Sequence, residues 1–90
     1  MTALSRAVRM CNQRGLHARA SAKFVNLAAV LPVAIEVEKD GNRVAGTSIM
    51  GLMMLGAAMG DTITLHCDGD GCGDALDKLS ALVSGRFGED

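Results

Sequence analysis

Val33, Ile35 and Val37 alternate with Ala34, Glu36 and Glu38, and Asp40-Gly41 follows soon after. A period of two puts the three branched side chains on one face of a strand. Asp-Gly accepts the two positive φ angles of a two-residue hairpin turn, and Arg43-Val44-Ala45 then forms the returning strand. An antiparallel ribbon is thus built into the middle of the chain, and the remaining segments have to cover its apolar face.

Their periodicities suit that task. Leu4, Val8 and Met10 alternate loosely with Ser5 and Arg9, which predicts a first strand over Thr2 to Met10. Ile63, Leu65 and Cys67 alternate with Thr62, Thr64 and His66, which predicts a fourth strand after Asp61. From Ala18 onward, Ala20, Phe24, Leu27, Ala28 and Leu31 recur at helical spacing until Pro32, which disfavours a helical residue before it. Ile49 to Leu55 reads as a short apolar helix with Thr47 or Ser48 able to cap it, Leu52 and Leu55 facing the core, and Gly56 and Gly60 bracketing its exit. Asp68 to Gly73 reads as a turn, and Asp74 as the cap of a last helix that presents Leu76, Leu79, Val83 and Phe87 to the sheet. Gly85 ends its regular part, and Gly88-Glu89-Asp90 is expected to fray. The order implies an α+β fold, a two-layer open-faced sandwich with β-α-β-β-α-β-α order. Its four-stranded antiparallel sheet is covered on one face by three helices, and residues 1–90 are expected to form a single domain.

Composition limits the chemistry. A chain of 90 residues buries only about 60% of the surface its unfolded form exposes, so a site is expected at the surface. With 49% hydrophobic but only 2% aromatic residues, the core must come from Leu, Val, Ile, Ala and Met. The net charge of -1, with neither Trp nor Tyr, argues against nucleic acid as a partner. No apolar run reaches the roughly 20 residues of a membrane span and the amino terminus lacks a secretory pattern, so no membrane partner and a cytoplasmic location are expected. In a reducing compartment Cys11, Cys67 and Cys72 are expected to remain thiols. His66, Cys67 and Cys72, even with Asp68 or Asp70, lack the short paired spacings of a closed zinc site, so no metal is expected. A small redox protein using Cys67 and Cys72 would instead show a bound metal or a disulfide.

Gly15-Leu16-His17-Ala18-Arg19 puts an imidazole where the first predicted helix begins. A helix start collects unpaired N–H groups and the positive end of the macrodipole, so it favours a phosphate group. With a reference pKa near 6.5, imidazole is largely neutral and nucleophilic at neutral pH. His17 could therefore accept a phosphoryl group whose charge is met by the Ala18 and Arg19 amides and the Arg19 guanidinium. Gly15 is read as permitting a tight turn and the approach of a partner protein to the backbone. The plainer reading is a histidine acting as a helix cap or surface residue.

The segment Gly15-Leu16-His17-Ala18-Arg19-Ala20-Ser21-Ala22-Lys23-Phe24-Val25 resembles the phosphorylation-site segment of the HPr family, the histidine-containing phosphocarriers of the phosphoenolpyruvate-dependent phosphotransferase system. Thr47-Ser48-Ile49-Met50-Gly51-Leu52-Met53-Met54-Leu55 resembles that family's regulatory-serine segment. The resemblance implies that His17 accepts from Enzyme I and donates to Enzyme IIA domains, with Arg19 beside the phosphate. It also implies that Ser48 matches the residue modified by HPr kinase/phosphorylase, although Ser48 reads equally well as a helix cap. Ile49, Met50, Met53, Met54 and Met59 fall where the family presents an apolar patch to partners, and methionine suits a surface that must fit several of them. No cofactor is implied, the protein is not an enzyme in the turnover sense, and a monomer with transient contacts is expected. Ala20 departs from the proline common in the family. That change and the Ser84 to Asp90 ending are similar to the nitrogen-related branch. A competing reading is a regulatory module in which phosphorylation of His17 or Ser48 controls binding without onward transfer.

Overall fold

The structure, a computed structural model, describes residues 3–89. Thr2, the expected first residue of the first strand, and Asp90 lie outside them. Among the described residues the order is β1 (Ala3–Arg9), α1 (Ala18–Val30), β2 (Ile35–Lys39), β3 (Asn42–Ala45), α2 (Ile49–Met54), β4 (Thr62–Asp68), α3 (Cys72–Ser84) and a 3-10 turn (Arg86–Gly88). The four strands form one antiparallel sheet in the order β1-β4-β2-β3.

Alternation divides the sheet into two chemical faces. Val8, Ile35, Val37, Ile63, Leu65 and Cys67 are buried beneath the helices with Ala20, Phe24, Leu52, Leu76, Leu79 and Val83. Glu36, Glu38, Arg43 and His66 occupy the opposite face, where Arg43 pairs with Glu36 at 2.6 Å and His66 Nε2 lies 2.6 Å from Glu38 Oε1. The Asp40-Gly41 turn has φ of 52° and 84°, as the hairpin chemistry requires. Helix α1 ends one residue before Leu31, whose ψ of 147° is the extended conformation that a following proline imposes.

Three expectations are corrected in the carboxy-terminal third. Helix α3 begins at Cys72 with Gly71 as its left-handed cap, so Asp74 lies inside the first turn, where its negative charge suits the macrodipole. Cys67 and Cys72 are joined in a disulfide, with Cα atoms 5.7 Å apart, and Cys11 is the free cysteine. Cys67 faces inward near the end of β4 and Cys72 opens α3, so the turn brings the two side chains together. Counting cysteines and assigning a compartment could not show that geometry. Finally, Gly88 and Glu89 are held rather than frayed, Asp90 lying outside the described residues: Arg86, Phe87 and Gly88 have φ of 58°, 53° and 76°, and this left-handed turn buries Phe87 off the end of α3. Lys23 Nζ holds the Phe87 carbonyl at 2.6 Å, and Glu89 N donates to Arg86 O.

Candidate functional site

The loop between β1 and α1 is fastened at each step. Met10 N donates to Asp61 O at 2.8 Å and Gly60 N to Met10 O at 2.7 Å, which ties the end of β1 to the start of β4. Asn12 is 1% exposed, and its Nδ2 donates to Gly15 O at 2.8 Å. Gly15 has φ of +61°, and a Cβ there would overlap the Ala57 carbonyl oxygen and stand 2.9 Å from Ala58 Cα. The tight turn is thus as expected, but the space beside Gly15 is filled by the chain's own Ala57-Ala58, which corrects the expectation that a partner protein approaches the backbone there. Leu16 N donates to Ala57 O at 3.0 Å, and the Leu16 side chain is buried.

His17 follows as the N-cap of α1, with φ -71° and ψ 178°, and its side chain makes no capping hydrogen bond. Its carbonyl accepts from Ser21 N at 2.9 Å, the first bond of the helix. The amides of Ala18, Arg19 and Ala20 precede that bond and therefore have no partner within the helix. Arg19 is exposed, and among the described residues no carboxylate pairs with it. Ala18 and Arg19 are exposed whereas Ala20 is buried, so the first two residues supply the donors at the surface beside the ring.

The ring itself is held by a residue that sequence reasoning missed. Glu89 Oε2 lies 2.5 Å from His17 Nε2, with the two side chains 18% and 19% exposed. Asn12 Nδ2 donates to the other carboxylate oxygen at 3.2 Å. The hydrogen bond from His17 holds the Glu89 carboxyl below the usual carboxylate range, helped by Asn12 and the charge of Arg14 and opposed by desolvation. A carboxylate can only accept, so Nε2 donates in this contact, and in the neutral ring the lone pair is left on Nδ1. No local pattern could have revealed this pair, because the partners are 72 residues apart.

Ser48 is the N-cap of α2, and its Oγ accepts from Gly51 N at 3.0 Å. Leu52 and Leu55 are buried, as expected, whereas Ile49, Met50, Met53, Met54 and Met59 are exposed, Met50 at 71% and Met54 at 80%. Helices α1 and α2 pack against each other, so the two starts belong to one layer.

Fold and site together define a small open-faced sandwich with a histidine at an open helix start. A family model described as "PTS HPr component phosphorylation site" matches residues 4–85, and the chain belongs to the HPr family of the phosphotransferase system. Phosphocarrier protein HPr of Cupriavidus necator is 45% identical over 86 residues, 96% of this chain and 97% of that protein. Phosphocarrier protein NPr of Shewanella violacea is 42% identical over 89 residues, 99% of this chain and 98% of that protein. The crystal structure of HPr-C-His from Thermoanaerobacter tengcongensis superposes with a TM-score of 0.88 at 38% identity, covering 100% of this chain and 99% of that one.

Proposed function

We propose that residues 1–90 act as a single phosphocarrier domain in the cytoplasm. His17 accepts a phosphoryl group from phosphorylated Enzyme I and passes it to Enzyme IIA domains. The observation that carries this reading is the ring's setting: Nε2 is engaged by Glu89, which in the neutral ring leaves the lone pair on Nδ1, at a helix start with three amides free of intrahelical bonds. In the accepting step the Nδ1 lone pair forms the new N–P bond as the donor's bond to phosphorus breaks and its electron pair returns to the donor. Positive charge appearing on the ring is met by the Glu89 carboxylate through Nε2–H, a charge-assisted hydrogen bond. The amides of Ala18 and Arg19 and the Arg19 guanidinium meet the phosphoryl oxygens. In the donating step the N–P electron pair returns to Nδ1, so the protein leaves the relay unchanged. It is a carrier whose partners supply the turnover.

Ile49, Met50, Met53, Met54 and Met59 form the apolar docking surface, which suits a monomer that must leave each partner quickly. Ser48 is a regulatory acceptor for HPr kinase/phosphorylase, supported by its half-buried position at the start of the helix that carries this surface.

The test is a relay. The protein is labelled with Enzyme I and radioactive phosphoenolpyruvate, freed of the donor, and mixed with an Enzyme IIA domain. Acid-labile label should enter wild type, be absent from His17→Ala, and move to the acceptor. Label that stays on the carrier would favour a regulatory module, and label in His17→Ala would sink the assignment.

A further inference from the structure

The phosphocarrier reading has no use for the Cys67–Cys72 pair. Both residues are buried, at 4% and 1% exposure, yet the connection between them, Gly69-Asp70-Gly71, lies at the surface. Their Cα separation of 5.7 Å is in the range that a disulfide spans without backbone rearrangement. The third cysteine cannot compete. Cys11 Sγ donates to the carbonyls of Val83 and Ser84 at 3.3 and 3.4 Å, at the other end of α3. That helix has 13 residues, so about 18 Å separates Cys11 from Cys72. Each end of α3 thus holds one sulfur chemistry, a bonded pair at its start and an isolated thiol at its finish.

From this geometry we infer that Cys67 and Cys72 form a reversible redox modification site, a dithiol in reducing surroundings and a disulfide in oxidising ones. Its reaction partner is a low-molecular-weight thiol or disulfide of the glutathione class. On oxidation, one cysteine thiolate attacks a glutathione disulfide and expels one glutathione thiolate. The second cysteine then displaces the other glutathione from the mixed disulfide. The pair loses two electrons and two protons, and two equivalents of glutathione thiol are produced.

The bond staples β4 to α3 at the end of the sheet away from His17. Strand β4 leaves the region of the histidine loop near Asp61 and runs seven residues to Asp68, roughly 20 Å. Oxidation therefore raises the stability of the folded chain and leaves phosphoryl acceptance unchanged. The inference does not rest on the proposed function, because its main readouts are thiol counts and melting temperature.

The experiment treats the full chain with dithiothreitol or oxidised glutathione, then unfolds it in denaturant with iodoacetamide so that the buried thiols are also blocked, and counts adducts by mass. With three cysteines in the chain, three adducts are expected after reduction and one after oxidation, the latter mapping to Cys11. The oxidised form should melt roughly 10 °C above the reduced form, and the difference should vanish in the Cys67→Ser, Cys72→Ser double variant. Three adducts after oxidised glutathione, or stable glutathione adducts on Cys67 or Cys72, would overturn the inference. A single adduct even after dithiothreitol would show a fixed cross-link instead, and a melting difference that survives in the double variant would assign the effect elsewhere.

Discussion

The starts of α1 and α2 belong to one helical layer and solve the same problem in opposite ways. A helix start has amides without intrahelical partners. At α2 the chain satisfies one of them itself, through the Ser48 hydroxyl on Gly51 N. At α1 the cap is His17, whose ring turns to Glu89 and caps nothing. The first arrangement stabilises the protein, and the second keeps donors available to something outside it. The frame that supports the second is correspondingly stiff, with Asn12, Gly15 and Leu16 bonded to the rest of the molecule before the helix begins.

Substitutions at the two starts can break this contrast. The largest effect is expected from Gly15→Ala, which forces a side chain into a left-handed conformation against Ala57 and should cost about 3 kcal/mol in urea unfolding. The same change at Gly51 is expected to cost less, because its methyl would meet Ser48 Oγ and Val44 Cβ at 3.0 Å from within a helix that favours alanine. A cost at Gly51 equal to that at Gly15 would deny that α1 has the more rigid frame.

Glu89→Gln should fold normally but accept phosphoryl groups about tenfold more slowly at neutral pH, a loss of roughly 1.4 kcal/mol in the transition state. Rapid-quench labelling would measure this, and an unchanged rate would remove Glu89 from the mechanism. The pair also predicts a pH effect. Because the folded carboxyl titrates below its unfolded value, its stabilising contribution is present above the ordinary carboxylate pKa and is lost as pH falls through the folded one. The amide signals of Phe87 and Glu89 should therefore shift in acid, below about pH 4, and signals that do not move there would mean that the Glu89 carboxylate does not hold the tail.

The smallest effect belongs to the conventional cap. Ser48→Ala should cost about 1 kcal/mol, seen as a lower melting temperature, with phosphoryl acceptance at His17 intact. A large loss of acceptance in this variant would mean that the two helix starts are coupled.

The strands, α1, the hairpin and the buried faces were legible because each is written in a local period. His17 and Arg19 could be singled out for the same reason, since the loop-to-helix boundary lies next to them in the chain. The α3 boundary misled because Asp74 is a good cap residue, while Gly71 caps by its left-handed backbone and carries no side-chain signal. The tail misled because its composition suits fraying, and only the contacts of Phe87, Lys23 and Glu89 with distant residues hold it.

By itself, then, the sequence determined which segments are strands and helices, which faces are apolar, and which imidazole stands at a helix start, because such properties depend on neighbours a few residues away. Tertiary structure alone decided that Glu89 meets His17 and that Cys67 meets Cys72. A side chain finds a distant partner only after the whole sheet and its helices have brought the two backbones together.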